Sequence, residues 1–430
     1  MSPSSATDAA TDTGKLTFQV HAADSETEIF VMDGDLRLVD RGVGSLTTKP
    51  LDRGIYKVRA FTASAIQEQY VVLKEPGLVV TIGLMAFASP APLSDTTRTH
   101  EYHMHSAQMQ SLNVHASHGA GSSIFVFARE WTKDDPAIQA IKSLNPLRGI
   151  NLLTADGAPL EAIETSAVTD SSMPDPWAAC NVVLTPGPYR LSLQLPTGDR
   201  QELMVFAAAG WQMQIFLLQR TSGQTRIADL PKAAIYMAHQ ADGFLPSDRQ
   251  TRQVELARLG LSHQRKVLST DITSMLREKF DNPMLGILAG HLLDMSPEPD
   301  LQAIIVQNLR SVFQTPHPDV EALALAAKMP VLPCSYAPML RRSWELISSP
   351  ASQRKGLPPA PAALQFTDRI WGEEPWLIRS VLSADDDSLR DMVPDFALPE
   401  AETTRTSAFS AVREWRSGKP LAPLPWNRRR

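Results

Sequence analysis

The sequence predicts an α+β multidomain chain: two tandem antiparallel β-sandwich modules followed by an α-helical domain. Three observations carry that expectation. The segment Leu51 to Leu84 is echoed, without a gap, 133 positions later by Leu184 to Leu217; Gly54/Gly187, Tyr56/Tyr189, Val72/Val205, Gly77/Gly210 and Ile82/Ile215 are among the identities. Self-similarity at a fixed offset marks one supersecondary unit used twice. Asp-Gly pairs, Asp33-Gly34 and Asp156-Gly157, each follow a short apolar run, the signal of a tight hairpin. Past about Arg226 the apolar period changes from two to 3.6, as in Leu301, Ile304, Ile305, Leu309, Val312 and Phe313.

The elements follow in order. Residues 1–14, rich in Ser, Thr, Ala and Asp, read as a disordered N-terminus. The first module occupies 15–86. Leu16 to Val20 and Glu28 to Met32 are strands, and Gly54 to Phe61 alternates, with Ile55, Lys57 and Arg59 on one face and Tyr56, Val58 and Ala60 on the other. Gln69 to Leu73 and Leu78 to Leu84 complete it around the Glu75-Pro76-Gly77 turn. A His-rich linker spans 87–120, and the second module, 121–220, begins at Ile124 to Phe127. Its insert from Arg129 to Arg148 reads as partly helical, and Thr169 to Trp177 as a loop. The helical domain covers 226–350: Asp281-Asn282-Pro283 and His317-Pro318-Asp319 place cap residues and a first-turn proline ahead of Met284 to Met295 and Val320 to Met329. Leu340 to Ile347 adds a fourth helix. Pro-rich loops and short helices over 351–430 read as a clasping tail.

Composition excludes several classes. A formal net charge of −6 argues against a dedicated nucleic-acid binder, which carries a basic stripe. Two cysteines in 430 residues, Cys180 and Cys334, make no disulfide framework and point to a reducing compartment. The N-terminal stretch has neither a basic nor an apolar signal region, and no apolar run is long enough to span a bilayer. The expected location is the cytoplasm.

Candidate chemistry is sparse. His100, His103, His105, His115 and His118, with Glu101, offer imidazole donors for a borderline metal, but they lie in what reads as a polar loop without a rigid support. A metal-dependent hydrolase using that cluster is the alternative to a non-enzymatic reading; no metal or cofactor is assigned. Gly119-Ala120-Gly121-Ser122-Ser123 lacks the lysine and following helix of a phosphate loop. Cys334 invites pairing with His291 or His317 as a thiolate dyad, yet nothing in the pattern fixes that geometry. Asp385-Asp386-Asp387 reads as dipole compensation at a helix start rather than a calcium loop. Trp371, Trp376, Trp415 and Trp426 sit on irregular sequence and are the candidate partner-binding anchors. Trp177 and Trp211 motivate a third reading, a carbohydrate-type binding module.

The repeated core, an Asp-Gly turn followed by Gly54-Ile55-Tyr56 or Gly187-Pro188-Tyr189, resembles the β-sandwich modules of the PEGA and carboxypeptidase-regulatory-like type over roughly 165 residues. Such modules bind or space other domains, so the resemblance implies a scaffold. The stretch from Asp281-Asn282-Pro283 through His317-Pro318-Asp319-Val320 is similar to helical segments of bacterial accessory proteins encoded beside caspase-like or trypsin-like peptidases. That similarity implies an adaptor whose partner is such a peptidase; charge and the lack of a long apolar run give the expectation that neither nucleic acid nor membrane is a partner.

Overall fold

The computed structural model describes residues 15–22, 27–61, 66–83, 89–93, 101–130, 145–171, 176–222, 225–263, 276, 282–294, 299–313, 315–332, 334, 336–348, 370–371 and 375–381. Among them the chain is mixed α/β and mostly sheet, with twenty strands in three sheets and seven α-helices. The described residues fall into two compact units, one built from residues before Phe87 and one from Ala88 onward.

The first unit is a seven-stranded sheet: β1 (Phe18–Ala22), β2 (Glu28–Met32), β3 (Leu38–Val43), β4 (Ser45–Thr47), β5 (Gly54–Phe61), β6 (Ile66–Leu73) and β7 (Leu78–Ile82), in the spatial order β6-β5-β2-β3-β4-β1-β7. Alternation buries one set of side chains. Phe18, Val20, Ile29, Val31, Tyr56, Val58, Ala60, Val71, Leu73, Val80 and Ile82 form a single core, each large side chain contributing about 1.5–3 kcal/mol. Asp33 closes the β2–β3 hairpin as the Asp-Gly signal predicted. Its Oδ1 accepts from the backbone of Asp35 (3.0 Å) and Arg37 (2.9 Å).

In the second unit the strand pattern of the first returns. The hairpin β14 (Gly187–Gln194) and β15 (Arg200–Ala207) stands where β5 and β6 stand, and β9 (Ser122–Arg129) runs parallel to β16 (Trp211–Ser222) as β1 does to β7. Each hairpin starts from the same tyrosine device. The hydroxyls of Tyr56 and Tyr189 donate to the carbonyls of Asp52 and Thr185, four residues upstream, both at 2.7 Å. One six-stranded sheet joins β11 (Pro159–Glu161), β10 (Ile150–Thr154), β14, β15, β20 (Ile378–Val381) and β19 (Ile370–Trp371); another joins β12 (Val168–Asp170), β13 (Trp177–Leu184), β9, β16 and β17 (Thr225–Ala228), with β8 (Ala116–His118) on β13 and β18 (Ala234–His239) on β16.

Several sequence expectations change here. Strand pairing does not stop at residue 220, because β17 and β18 add to β16 beyond it. Nor is the tail only a clasp, since β20 lies antiparallel on β15. The supposed linker contains helix α1 (Glu101–Leu112), whose His103, Ala107 and Ser111 face inward at four-residue spacing. The α1 carbonyl of Ser111 accepts from Asn181 Nδ2 and Gln212 Nε2, both at 2.8 Å, and its hydroxyl accepts from the Phe244 backbone at 2.8 Å. Of the helical insert expected from Arg129 to Arg148, 131–144 lies outside the described residues, while Arg129 ends β9 and Pro146 to Arg148 form a turn. Of the loop expected from Thr169 to Trp177, 172–175 lies outside them, Thr169 and Asp170 belong to β12 after the short α2 (Ile163–Ser166), and Trp177 opens β13.

Four helices fall close to expectation, α4 (Pro283–Asp294), α5 (Pro299–Phe313), α6 (Pro318–Ala326) and α7 (Arg341–Ser348); α3 (Arg249–Ser262), ahead of them, is a helix that the sequence reading did not single out. Asn282 Oδ1 accepts from the Leu285 backbone at 3.3 Å, and His317 Nδ1 from the Asp319 backbone at 3.3 Å, so both predicted caps are made. The α5 stripe is rotated slightly from the sequence reading. Gln302 and Val306 are buried while Ile304 is exposed.

Candidate interaction surface

The outer face of the β6-β5-β2 sheet in the first unit carries four large apolar side chains that are each at least half exposed, Ile55, Ile66, Tyr70 and Val72. Register fixes its membership: Ile55 lies opposite Val72, Lys57 opposite Tyr70, Arg59 opposite Glu68 and Phe61 opposite Ile66 on the β5–β6 pair, with Phe30 and Met32 of β2 opposite Arg59 and Lys57. Tyr70 is 68% exposed, Ile55 59% and Val72 50%. Contiguous exposed apolar surface of this sort marks an interaction site more often than chance packing.

A charged network crosses the middle of this face. Glu68 takes Lys57 Nζ at 2.6 Å and Arg59 Nε at 2.5 Å. The hydrogen bonds from Lys57 and then Arg59 hold the Glu68 carboxyl below the usual carboxylate range. Lys57 also sits 5.8 Å from the centre of the Tyr70 ring, and Arg59 5.4 Å from that of Phe61, which stands edge-on to Phe30. Two cations, Lys57 and Arg59, share the Glu68 carboxylate at the centre of the face, flanked by apolar side chains, with Glu28 of β2 opposite Phe61 at its border.

Its counterpart in the second unit is built differently. Arg59 faces Glu68 where Ser192 faces Glu202, so Glu68 and Glu202 correspond in strand register, as do Lys57 and Arg190. There Glu202 is fully buried and meets Arg190 NH1 (3.6 Å), Arg200 NH2 (2.8 Å) and Arg379 NH1 of β20 (3.2 Å). The first unit thus exposes what the second covers.

The groups that suggested catalysis are buried without access. Asp319 Oδ1 accepts from the Leu340 backbone (2.9 Å) and the Ser343 hydroxyl (2.6 Å), and Oδ2 from the Met339 backbone (2.9 Å). Because Ser343 donates to Asp319, its oxygen accepts from His291 Nε2 at 2.9 Å. Serine sits between the acid and the imidazole, the reverse of a hydrolytic triad, in which histidine takes the serine proton. All three side chains are fully buried. Cys334 bonds only weakly to the Leu332 carbonyl, at 3.8 Å, and burial, then the charges of Glu321 and Asp319, push its thiol pKa up. His317 is clamped between Phe313 and Phe206, at 4.7 and 4.9 Å. No thiolate dyad with His291 or His317 exists. Burial likewise pushes the Cys180 thiol up to about 12.

The histidines expected to cluster are scattered by helix and strand. His103 is buried on α1 against Phe127, and His105 lies exposed on the same helix. His115 Nδ1 accepts from the Asn181 backbone at 2.8 Å, and His118 meets Glu161 at 2.6 Å. His100 lies outside the described residues, among which no three ligating side chains converge. The Gly119 run is a turn: a Cβ at Gly119, with φ +153°, would run into the Thr185 backbone.

The tryptophan anchors are corrected in part. Trp376 is 1% exposed and donates Nε1 to the Ala233 carbonyl at 2.7 Å, because the Leu340–Trp376 bridge and β20 draw it into the core. Trp371 belongs to β19; Trp415, Trp426 and Asp385 to Asp387 lie outside the described residues. Trp177 stacks on Phe127 and Trp211 on His239, both buried, so neither offers a sugar platform. Sequence reasoning had placed Ile55, Lys57 and Arg59 on one face but passed over Tyr70, Val72 and Glu68, whose alternation with Val71 and Leu73 carried the signal.

No known protein family matches this chain, and no curated protein matches it.

Proposed function

We propose that the protein is a non-enzymatic adaptor that binds other proteins. In this reading two β-sandwich modules stand in tandem ahead of a helical domain, and the first module carries the docking face. The observation behind it is the outer surface of β5 and β6, where Ile55, Tyr70 and Val72 stay exposed beside the charged Lys57–Glu68–Arg59 network. The partner that fits presents an apolar patch edged by polar and charged groups that complement the Lys57–Glu68–Arg59 network, since interface cores are apolar and charge complementarity fixes register. A bacterial peptidase is the partner class implied by the sequence resemblance. A cytoplasmic site of action belongs to the same reading, supported by two free, buried cysteines; no helix among the described residues is long and apolar enough to cross a membrane.

The test is comparative capture from the native host with tagged wild-type chain and with Tyr70→Asp/Val72→Asp, both checked for native circular dichroism. A protein retained by the wild type and lost from the double variant is the expected result. Identical captures from both chains would remove the face from consideration.

A further inference from the structure

Strand β6 ends the first sheet. It pairs with β5 on one side, and no strand among the described residues takes the other. Its counterpart β15 does carry a strand there: β20 lies antiparallel on it from Arg200 opposite Val381 to Leu203 opposite Ile378. Matching the hairpins through Gly54 and Gly187 makes Ile66 to Gln69 the counterpart of Arg200 to Leu203. Among the described residues, therefore, the same edge is filled in one unit and unpaired in the other.

An open edge is a hazard that proteins blunt with lysine, proline or a bulge. Ile66-Gln67-Glu68-Gln69-Tyr70-Val71-Val72-Leu73 contains neither lysine nor proline, and its eight pairs to β5 run without a register shift. Ile66, Tyr70 and Val72 are all at least half exposed along it. We propose that the β6 edges of two copies of this chain pair antiparallel about a two-fold axis at Gln69, joining their first sheets into one.

Register selects that axis. Residues directly opposite in a sheet share a face, so the two-fold must pass through a residue rather than between two. At Gln69 it sets Ile66 against Val72 of the second copy and Glu68 against Tyr70 of the second copy, an apolar pair and a hydroxyl–carboxylate pair. At Glu68 it would oppose two carboxylates, which is unfavourable. At Tyr70 it would set Glu68 against the aliphatic Val72 and leave Ile66 beyond the end of the facing strand. Pairing at Gln69 also runs the two outer faces together. The inference goes beyond the adaptor proposal, which can fail for want of a second protein while self-association stands.

Sedimentation of the full chain over a concentration series tests it, together with cysteine placement. Both native cysteines are buried, so Gln69→Cys carries the accessible thiol at the axis, where facing Cα atoms come within disulfide reach. We expect the wild type to pass from one chain to two as concentration rises. Under mild oxidant, Gln69→Cys should form covalent dimer at least about 10-fold faster than Leu36→Cys, a control at another exposed position, because pairing raises the local thiol concentration. Tyr70→Lys/Val72→Lys should sediment as a single chain throughout. A wild type that stays a single chain overturns the proposal. So does Gln69→Cys cross-linking no faster than the control, or a dimer that survives the double lysine variant.

Discussion

Replacing Asp319 by asparagine is the sharpest test of the buried Ser343–His291–Asp319 node as a structural device. The fully buried carboxylate takes three hydrogen bonds: from the Met339 and Leu340 backbone N–H at 2.9 Å and from Ser343 Oγ at 2.6 Å. These fix the turn into α7 just before the Leu340–Trp376 bridge. Asparagine keeps one acceptor oxygen. Its best orientation retains the Leu340 and Ser343 bonds and turns its NH2 group towards the Met339 N–H, donor against donor. One charge-assisted bond is lost, at about 1.5–3 kcal/mol, and one buried N–H is left unpaired, at about 1–3 kcal/mol. The remaining bonds weaken as the acceptor becomes neutral. The expected loss is about 3–5 kcal/mol. Urea unfolding followed by tryptophan fluorescence isolates the relevant unit, because Trp131 is the first tryptophan in the chain. With a slope of about 2–3 kcal/mol per molar urea, the midpoint should fall by about 1–2 M. A shift worth less than about 1 kcal/mol would mean that the node does not hold α7, and the case against a catalytic Ser343 would lose its main support.

The remaining predictions concern pH, turns and the paired tyrosines. Burial lowers the His317 pKa despite the opposing charge of Asp319, so the unfolded chain takes up its proton first, near pH about 6.5. Stability from this group is complete above that value and is lost as pH falls through the folded value; His317→Asn, which keeps the cap acceptor, should flatten the urea midpoint between about pH 7 and pH 5, and a wild-type curve already flat there would contradict the assignment. Gly119→Ala must push against the Thr185 backbone at φ +153° and should cost about 2–4 kcal/mol, read as a fall in the fluorescence midpoint; a neutral result would reopen the Gly119 run as something other than a packed turn. Tyr56→Phe and Tyr189→Phe each delete one hydroxyl-to-carbonyl bond of 2.7 Å and should each cost about 1 kcal/mol. Circular dichroism melting should report the first and fluorescence the second, and unequal losses would break the equivalence of the two corners.

The hairpin pairing was legible because its signals are local. Gly54/Gly187, Tyr56/Tyr189 and the Asp-Gly turns all act within a few residues, and the first hairpin strands, β5 and β14, lie where the fixed offset puts them. The same offset hid the charged pair. Between β5 and β6 lie four residues and between β14 and β15 five, whereas β6 and β7 are separated by four and β15 and β16 by three. The hairpin therefore gains one residue that the next connection gives back, and the alignment returns to phase at Gly77/Gly210. Inside that window it is one residue out: it equates Val72 with Val205, although Val72 lies opposite Ile55 and is exposed, while Val205 lies opposite Tyr189 and is buried. Shifting by one pairs Val71 with Val205 and Glu68 with Glu202. A one-residue slip exchanges the two faces of a strand, so the Val72/Val205 identity joins residues of different faces.

Two further features were illegible for reasons of range and composition. Strand β20 is four residues long and joins a partner some 175 positions earlier, a contact that no local periodicity encodes. Helix α1 buries a histidine, an alanine and a serine rather than an apolar stripe, and it is held by carbonyl and hydroxyl bonds to Asn181, Gln212 and Phe244. A helix fixed by polar staples looks like a linker in sequence. The same physics separates the two glutamates: Glu202 lies under cover with three guanidinium groups around it, whereas Glu68 needs only Lys57 and Arg59 because solvent remains at hand. Burying Glu68 under an added strand would strengthen its pairing with those two cations as water leaves. An incoming strand that also brings a donor, as Arg379 does for Glu202, offsets the desolvation of the carboxylate; at the Gln69 axis that donor is the Tyr70 hydroxyl of the second copy.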